Sequence, residues 1–171
     1  MAATEETLSV WNEKSERARL RILKPWGFRA YLLAKLPLAA CAGLKLRRLE
    51  EDGCTVALPG GWRTRNPFGS TYFAAQLMAA EMSTGAPAMV LVEGAPASVA
   101  LILREVRARF DKRIVGRSTY TFTDIAGMRA AVAQAAAAPE PVLFTATATA
   151  QTADGTPAST FEVTWSFKRR G

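Results

Sequence analysis

The sequence lacks histidine altogether, and this absence excludes whole classes of catalytic site. Its 171 residues include no histidine and only two cysteines. A Ser-His-Asp or Cys-His triad, an imidazole general base and an HExxH zinc site are all excluded. Any acid–base chemistry must therefore come from a carboxylate, a lysine, a tyrosine, a thiol or a bound water.

Cysteines and long apolar runs are also scarce. Cys41 and Cys54 are too few for a disulfide scaffold or a zinc cluster, so we expect two reduced, structural thiols and no metal or cofactor. Residues 1–19 contain no signal-peptide apolar region. The most apolar early stretch, residues 31–46, is interrupted by lysines and a proline and is too short to span a bilayer. We therefore expect a soluble cytoplasmic protein.

Acidic residues are outnumbered, with 15 against 22 basic residues and a net charge of +7. Six of the basic residues lie between Arg104 and Arg117, and three occupy residues 168–170. Such an excess favours an anionic partner: a phosphorylated small molecule, nucleic acid or a lipid surface. The alternative is a solvated charged face. Aromatic residues do not alternate with the basic ones, so nucleic acid is the weakest of these candidates.

The residue pattern predicts one globular domain built from helices and strands. Prolines at 25 and 37 interrupt the early helical pattern, and an Asp-Gly pair at 154–155 predicts a hairpin turn. The expected helices are residues 5–24, 28–36, 70–84 and 125–138, and the expected strands are residues 44–49, 54–58, 99–110, 117–123, 142–152 and 160–168.

Residues 70–84 form the strongest predicted helix, because they contain no glycine or proline and many good helix formers. Ser70 or Thr71 would cap this helix, and Gly85 would end it. It is apolar nearly all round, which is typical of a buried helix. A sheet with one apolar face needs a cover, so we predict an α+β fold in which an antiparallel sheet wraps around this central helix.

This order of elements resembles the hot-dog fold. The segment 65–69 (RNPFG) and the helix after it are similar to the motif of PaaI-type acyl-CoA thioesterases. In that motif an asparagine precedes a glycine turn, and a helix carries a catalytic carboxylate about four turns later. Asn66 and Glu81 stand at these positions. Residues 110–116 resemble a strand-end signature of the same superfamily.

The resemblance implies a thioester hydrolase that acts on an acyl-CoA or acyl-carrier conjugate. Its hot-dog domain would cover residues 28–171, after a helical lead-in at residues 1–27. The family's motif has His-Gly-Gly at the start of the helix, where this chain has Tyr72-Phe73-Ala74. The backbone N–H survives that change. A non-catalytic module that binds or assembles acyl ligands stays open as the alternative.

Three residues would carry the implied chemistry. Glu81 would activate water or attack the thioester carbonyl directly, and burial on an apolar helix would raise its pKa. The alternative for Glu81 is a structural ion pair with an arginine. Asn66 would position water or the thioester, unless it is an ordinary turn residue before proline. The backbone N–H of Phe73 would donate to the oxyanion, helped by the helix dipole.

Five further residues are candidates for substrate binding. Tyr72 would hydrogen-bond the substrate, or else pack in the core as aromatic side chains commonly do. Lys112 and Arg113 would bind the phosphates of coenzyme A, with Arg117 and Arg63 in reserve, because a strand end presents cations on a rigid turn. The alternative for these cations is a solvated hairpin.

Hot-dog chains pair edge to edge, so the resemblance implies a homodimer or a pair of dimers. The long strand predicted at residues 99–110 would be an exposed edge in a monomer. Glu81 of one subunit would then meet basic residues of the other. Gln76 should point away from Glu81, because five residues turn a helix by about 140°. We predict that Gln76 is a packing or dimer-contact residue.

Overall fold

Residues 10–171, which the computed structural model describes, form five α-helices and six β-strands. The helices are α1 (Glu13–Leu23), α2 (Pro25–Lys35), α3 (Pro37–Ala42), α4 (Phe73–Glu93) and α5 (Ile125–Ala137). The strands are β1 (Lys45–Glu50), β2 (Gly53–Leu58), β3 (Val99–Phe110), β4 (Ser118–Phe122), β5 (Val142–Thr152) and β6 (Pro157–Arg169). A short 3₁₀ helix lies at Trp62–Thr64.

All six strands pair antiparallel in one sheet, in the order β1-β2-β4-β5-β6-β3. The central helix α4 packs against β2 through β6. Strand β6 has the alternation that such packing requires: Phe161, Val163, Trp165 and Phe167 are buried, whereas Glu162 between them is exposed. The predicted α+β hot-dog arrangement, a sheet wrapped around one central helix, is confirmed.

The start of α4 differs from the prediction, because the helix begins at Phe73 and has no side-chain cap. Ser70 and Thr71 instead lie in an extended segment before it. The hydroxyl of Ser70 lies 3.2 Å from Asn66 Oδ1, and the N–H of Thr71 donates to the carbonyl of Ile114 at 2.8 Å. These bonds to neighbouring loops hold both residues outside the helix, so neither caps it.

The predicted stop at Gly85 is wrong, because α4 continues through Gly85 and Pro87 to Glu93. Gly85 is buried, and a Cβ there would lie 3.2 Å from the Cζ2 atom of Trp165. The missing side chain therefore lets the helix approach β6 closely. Pro87 has no N–H to donate to the carbonyl of Ser83. Packing on both sides offsets these poor helix formers, since every residue from 82 to 88 is buried.

The first helix, α1, is attached to the rest of the chain by polar side chains. Asn12 caps it by accepting from the N–H of Ser15 at 3.0 Å, and its amide donates to the carbonyl of Gly94 at 2.7 Å. Arg19 bonds the carbonyl of Leu49 at 2.6 Å. The predicted helix at 5–24 thus begins at residue 13, and its residues 5–9 lie outside the described part. The domain boundary at residue 27 stays a prediction.

The two thiols are not joined. Cys41 is exposed, Cys54 is buried, and both are free. Burial raises the pKa of the Cys54 thiol, so it stays protonated and packs as a small apolar side chain. Within residues 10–171, no helix has the length and apolar character needed to cross a membrane.

Two glycines allow the loop after β2 to meet the loop before β4. Gly60 and Gly116 both adopt positive φ, at 76° and 82°. A Cβ on Gly60 would lie 2.4 Å from the carbonyl carbon and oxygen of Gly116, whereas a Cβ on Gly116 would meet nothing within 4 Å. Of these two glycines, only Gly60 therefore combines a positive φ with a close approach to another chain segment.

Replacing Gly60 with alanine should destabilise the fold more than the same change at Gly116. Both variants place alanine in left-handed backbone, which costs about 1–2 kcal/mol. The Gly60 variant also pushes the two loops apart, which should lower the free energy of unfolding by at least about 1 kcal/mol more. Urea denaturation of both variants measures the difference. Equal losses would show that the loops separate at no cost.

Candidate active site

Asn66 organises the turn that leads into α4. Its Oδ1 accepts from the backbone N–H groups of Phe68 and Ser70, each at 3.1 Å, and its own N–H donates to the carbonyl of Ser70 at 2.8 Å. The carbonyl end of the amide is therefore used within the turn. Its Nδ2 has no partner among the described residues, so two donors remain for a ligand. Asn66 is therefore a turn residue, which is one of the two roles predicted for it, and its Nδ2 group has no partner among the described residues.

The basic loop after β3 lies against this turn. The guanidinium of Arg113 donates to the carbonyl of Phe68, and the loop is tied to β6 where the N–H of Lys112 donates to Ala158 at 2.9 Å. The side chains of Lys112, Arg113 and Arg117 are exposed. The fold thus brings a cationic loop to the turn that contains Asn66, although about 45 residues separate them in the chain.

The N-terminus of α4 opens beside the same turn. The N–H of Phe73, the first residue of the helix, has no partner in the described part of the chain, as expected for a first-turn donor. Tyr72 and Phe73 are 46% and 54% exposed, and their rings meet edge to face at 4.8 Å. The interpretation of Tyr72 as a core aromatic is therefore wrong. Both rings are therefore exposed at the N-terminus of α4, where this N–H lies.

Glu81 lies half-buried two turns further along α4. Burial raises the pKa of its carboxyl above the ordinary value of 4.5, as the sequence predicts. Within residues 10–171 no lysine or arginine pairs with it. The alternative of a structural ion pair is therefore wrong within one chain. A half-buried carboxyl without a partner is a feature of functional sites more often than of structural ones.

Three residues that the sequence analysis did not assign to the site surround Glu81. Its Oε1 lies 3.0 Å from the position that a Cβ of Gly85 would take, and the ring of Trp165 borders the same space. Burial, and then the charge of Glu81, raises the pKa of Tyr31, whose hydroxyl bonds Met89 Sδ at 3.3 Å. Gly85 had one signal, its spacing of four residues from Glu81. Tyr31 and Trp165 had none, because only the folded chain brings them near.

Gln76 is a packing residue, as predicted. It is buried, its Nε2 donates to the carbonyl of Thr71 at 3.1 Å, and its Oε1 accepts from Ser159 Oγ at 3.0 Å. These bonds link the start of α4 to β6. They fix the position of the helix N-terminus relative to the sheet.

The two halves of the predicted site are separate within one chain. The turn of Asn66, the N–H of Phe73 and the basic loop lie together, whereas Glu81 lies about 12 Å from Phe73 along the helix axis. The contact of its carboxylate with Gly85 places Oε1 on the side towards the helix C-terminus. One thioester could not touch both halves, since catalytic contacts are about 3 Å long. Within residues 10–171, no three potential metal-ligating side chains gather.

Solved structures with the same fold include several thioesterases. A Pseudomonas aeruginosa protein described as a probable thioesterase has a TM-score of 0.70 and 17% identity, covering 85% of this chain and 97% of its own. A Haemophilus influenzae thioesterase has a TM-score of 0.62 and 13% identity, with 85% and 91% covered. A thioesterase family protein from Silicibacter pomeroyi has a TM-score of 0.60 and 16% identity, with 83% and 96% covered.

At these identities the likeness establishes the fold, a hot-dog fold like that of thioesterases. A search of curated proteins finds no match. The model of one protein family matches residues 25–166, which include α4, the basic loop and all six strands except the end of β6. The chain therefore belongs to the family described as Domain of unknown function (DUF4442).

Proposed function

We propose that this chain is a thioester hydrolase acting on an acyl-CoA or acyl-carrier conjugate. The observation that carries the proposal is the half-buried carboxyl of Glu81, which has a raised pKa and no cationic partner in the described chain. A carboxyl with a raised pKa can take and return a proton at a higher pH than an ordinary carboxyl does. The thioesterase-like fold supports the choice of reaction.

In the water-activated route, the Glu81 carboxylate removes a proton from water while the water oxygen attacks the thioester carbonyl carbon. The C–S bond then breaks, and the proton held by Glu81 passes to the leaving thiolate, which gives a carboxylic acid and a thiol. In the direct route, the carboxylate itself attacks the carbonyl carbon, the C–S bond breaks, and the thiolate leaves a mixed anhydride on Glu81. Water then hydrolyses the anhydride to a carboxylic acid and the Glu81 carboxylate, and the proton released converts the thiolate to a thiol. Both routes need Glu81 ionised at the start.

Both routes develop negative charge on the carbonyl oxygen of the thioester. The free N–H of Phe73 at the helix N-terminus would hold that charge, because the helix dipole favours anions there. The unpaired Nδ2 of Asn66 is the second candidate donor at this end of the site. The rings of Tyr72 and Phe73 would border the acyl group that enters.

A second copy of the chain would complete the site. The distance between Glu81 and Phe73 in one chain requires that Glu81 act on a thioester held by the partner's helix. Strand β3 supports this arrangement, because it is an edge of the sheet, is twelve residues long and exposes 61% of Ile102. Pairing of two β3 edges in a homodimer or a pair of dimers would cover these unpaired backbone groups.

The basic loop would recognise the phosphates of coenzyme A. Lys112, Arg113 and Arg117 are exposed on a loop that is held to β6 and to the turn of Asn66. Because the backbone of this loop is already held, binding of phosphate needs to order only the side chains.

One observation favours a second candidate, a non-catalytic module that binds acyl ligands. The exposed rings of Tyr72 and Phe73 lie where the thioesterase motif has small residues. Such rings could narrow the approach of water to the carbonyl while still packing against an acyl chain. Tight binding of acyl-CoA without turnover by the wild-type protein would favour this candidate.

Replacing Glu81 with glutamine should reduce the turnover of acyl-CoA by about 10²–10⁴-fold, because the variant has no group that can accept the proton. Release of free thiol from a panel of acyl-CoA esters measures the rate. Glu93→Gln is the matched control on the same helix, since Glu93 forms only an exposed ion pair with Arg21. Equal activity in Glu81→Gln and wild type would rule out the proposed role.

The pH dependence of stability in the same variant reports on the protonation of the Glu81 carboxyl. Burial raises the pKa of Glu81 from its ordinary value of 4.5, so the folded protein keeps a proton that the unfolded chain releases. Wild-type stability should therefore fall as pH rises from about 4.5 through the raised pKa. Glu81→Gln lacks this loss, so its unfolding free energy relative to wild type should increase over that range. Turnover should rise with pH over the same range.

Phe73→Pro should remove the oxyanion donor without breaking the helix, because proline is well accepted at the first helical position. We expect a rate about 10²–10³-fold lower, whereas Phe73→Ala, which keeps the N–H, should retain much more activity.

Mixing inactive Phe73→Pro with inactive Glu81→Gln should restore about a quarter of wild-type activity, since a symmetric mixed dimer contains one intact site. No restoration after subunit exchange would contradict the shared site.

Lys112→Glu should raise the KM for an acyl-CoA about three- to tenfold, because it replaces attraction to phosphate with repulsion. The KM for the matching acyl N-acetylcysteamine thioester, which has no phosphate, should stay unchanged. Lys14→Glu makes the same charge change on α1 and serves as the control. A parallel rise for both thioesters would assign Lys112 to the structure of the loop.

A further inference from the structure

A second concave site lies at the β1 edge of the sheet, between β1, α2 and α3. It is a groove with a volume of about 700 Å³. Its floor is apolar, since Phe28, Leu32 and Leu44 in the lining are buried. Grooves of this size with apolar floors are typical of sites for small ligands.

Four cations line the groove, and none of the acidic residues among residues 10–171 does. They are Arg29 on α2, Lys45 and Arg47 on β1, and Arg63 in the 3₁₀ helix. In the described part of the chain, none of the four forms an ion pair. Arginines elsewhere do pair, namely Arg17, Arg19, Arg21, Arg48, Arg107 and Arg109. Within residues 10–171, ion pairs therefore do not neutralise the positive charge at this groove.

Strand β1 places two of these cations, Lys45 and Arg47, beside the apolar floor. In a regular strand, successive side chains point to opposite faces. The pairing of β1 with β2 shifts between Leu46 and Arg48, so that Arg47 is the extra residue of a β-bulge. Lys45 and Arg47 are two residues apart and both line the groove, and Leu46 beside the bulge lines it as well. Bulges are common at sheet edges and disturb this alternation locally.

The rim of the groove carries exposed apolar side chains. Trp26 and Leu33 on α2 line it and are 82% and 61% exposed. The ring of Trp62 also lies 5.6 Å from the guanidinium carbon of Arg63. Apolar groups left open beside unpaired cations fit a ligand that has both an apolar chain and a negative charge.

The groove is separate from the candidate active site. Neither Glu81 nor Asn66 nor Phe73 lines it. Strand β1 is the edge of the sheet opposite β3, so a pair of chains joined through β3 would leave β1 open.

We propose that this groove binds one anionic amphiphile, with its acyl chain on the apolar floor and its carboxylate or phosphate head group among the four cations. The apolar floor holds the chain through burial of its surface. Lys45, Arg47 and their neighbours supply the charge that matches the head group.

The test uses calorimetry to measure the binding of dodecanoate and of dodecyl phosphate to the full chain. Both compounds are kept below their critical micelle concentrations. We expect one molecule to bind per chain, with an affinity that rises about three- to tenfold for each two methylenes added. The tighter of the two compounds identifies the head group. Dodecyltrimethylammonium has the same chain and the opposite charge, and it should not bind.

Two double variants locate the site. Lys45→Glu/Arg47→Glu should weaken binding at least about tenfold, and Arg29→Glu should weaken it through a different element. Lys168→Glu/Arg170→Glu changes the net charge equally at the other edge of the sheet and should leave the affinity unchanged. Glu81→Gln should do the same, and no step requires turnover, so the result is independent of the proposed hydrolase activity.

Four outcomes would overturn the proposal. Equal weakening by both double variants would indicate general electrostatic attraction. Full binding by Lys45→Glu/Arg47→Glu would place the ligand elsewhere, as would its loss in Glu81→Gln. Attraction only to phosphatidylglycerol vesicles, without binding of the single-chain compounds, would assign the surface to a membrane instead.

Discussion

Enclosure of α4 is the constraint on which the rest of the structure depends. The sheet covers one side of this helix, and α1 and α5 pack against others. Many of its buried residues are small, namely Ala75, Ala79, Ala80, Gly85, Ala86 and Ala88. Polar groups on such a helix need partners inside the protein. Ser83 and Thr84 donate back to carbonyls of the preceding turn, and Gln76 bonds Ser159. The carboxyl of Glu81 differs from these groups because no lysine or arginine pairs with it within residues 10–171. The proposed chemistry of the site depends on this unpaired carboxyl.

Local pattern was sufficient to predict the sheet and most of its elements. The alternation in β6 and the turn residues at 154–155 determine strand boundaries through interactions between near neighbours, which a sequence displays directly. Gly85 was misjudged for the opposite reason. Glycine after a run of helix formers is a common helix end, but here it accommodates the ring of Trp165, which is 80 residues away in the chain. Tertiary packing outweighed local propensity at that position.

The candidate site likewise has some features that the sequence predicts and others that depend on how distant segments pack. The spacing of Asn66 and Glu81 made both visible in the sequence, through a resemblance that depends on order along the chain. The bond from Arg113 to Phe68 and the position of Tyr31 near Glu81 depend on how distant segments pack. The sequence also could not reveal that Glu81 and the N–H of Phe73 are too far apart to act together in one chain. That conclusion needs the direction of the carboxylate along α4.

The bulge in β1 has a further consequence for how the protein assembles. A sheet with two open edges can add neighbours on both sides and grow into a fibre. Here one edge is a short, bulged strand with unneutralised lysine and arginine side chains, and two such strands would repel each other. The other edge, β3, is long and able to pair. In the proposed dimer, growth by edge pairing would therefore terminate after a single joining event, and the bulged edge would prevent open-ended polymerisation.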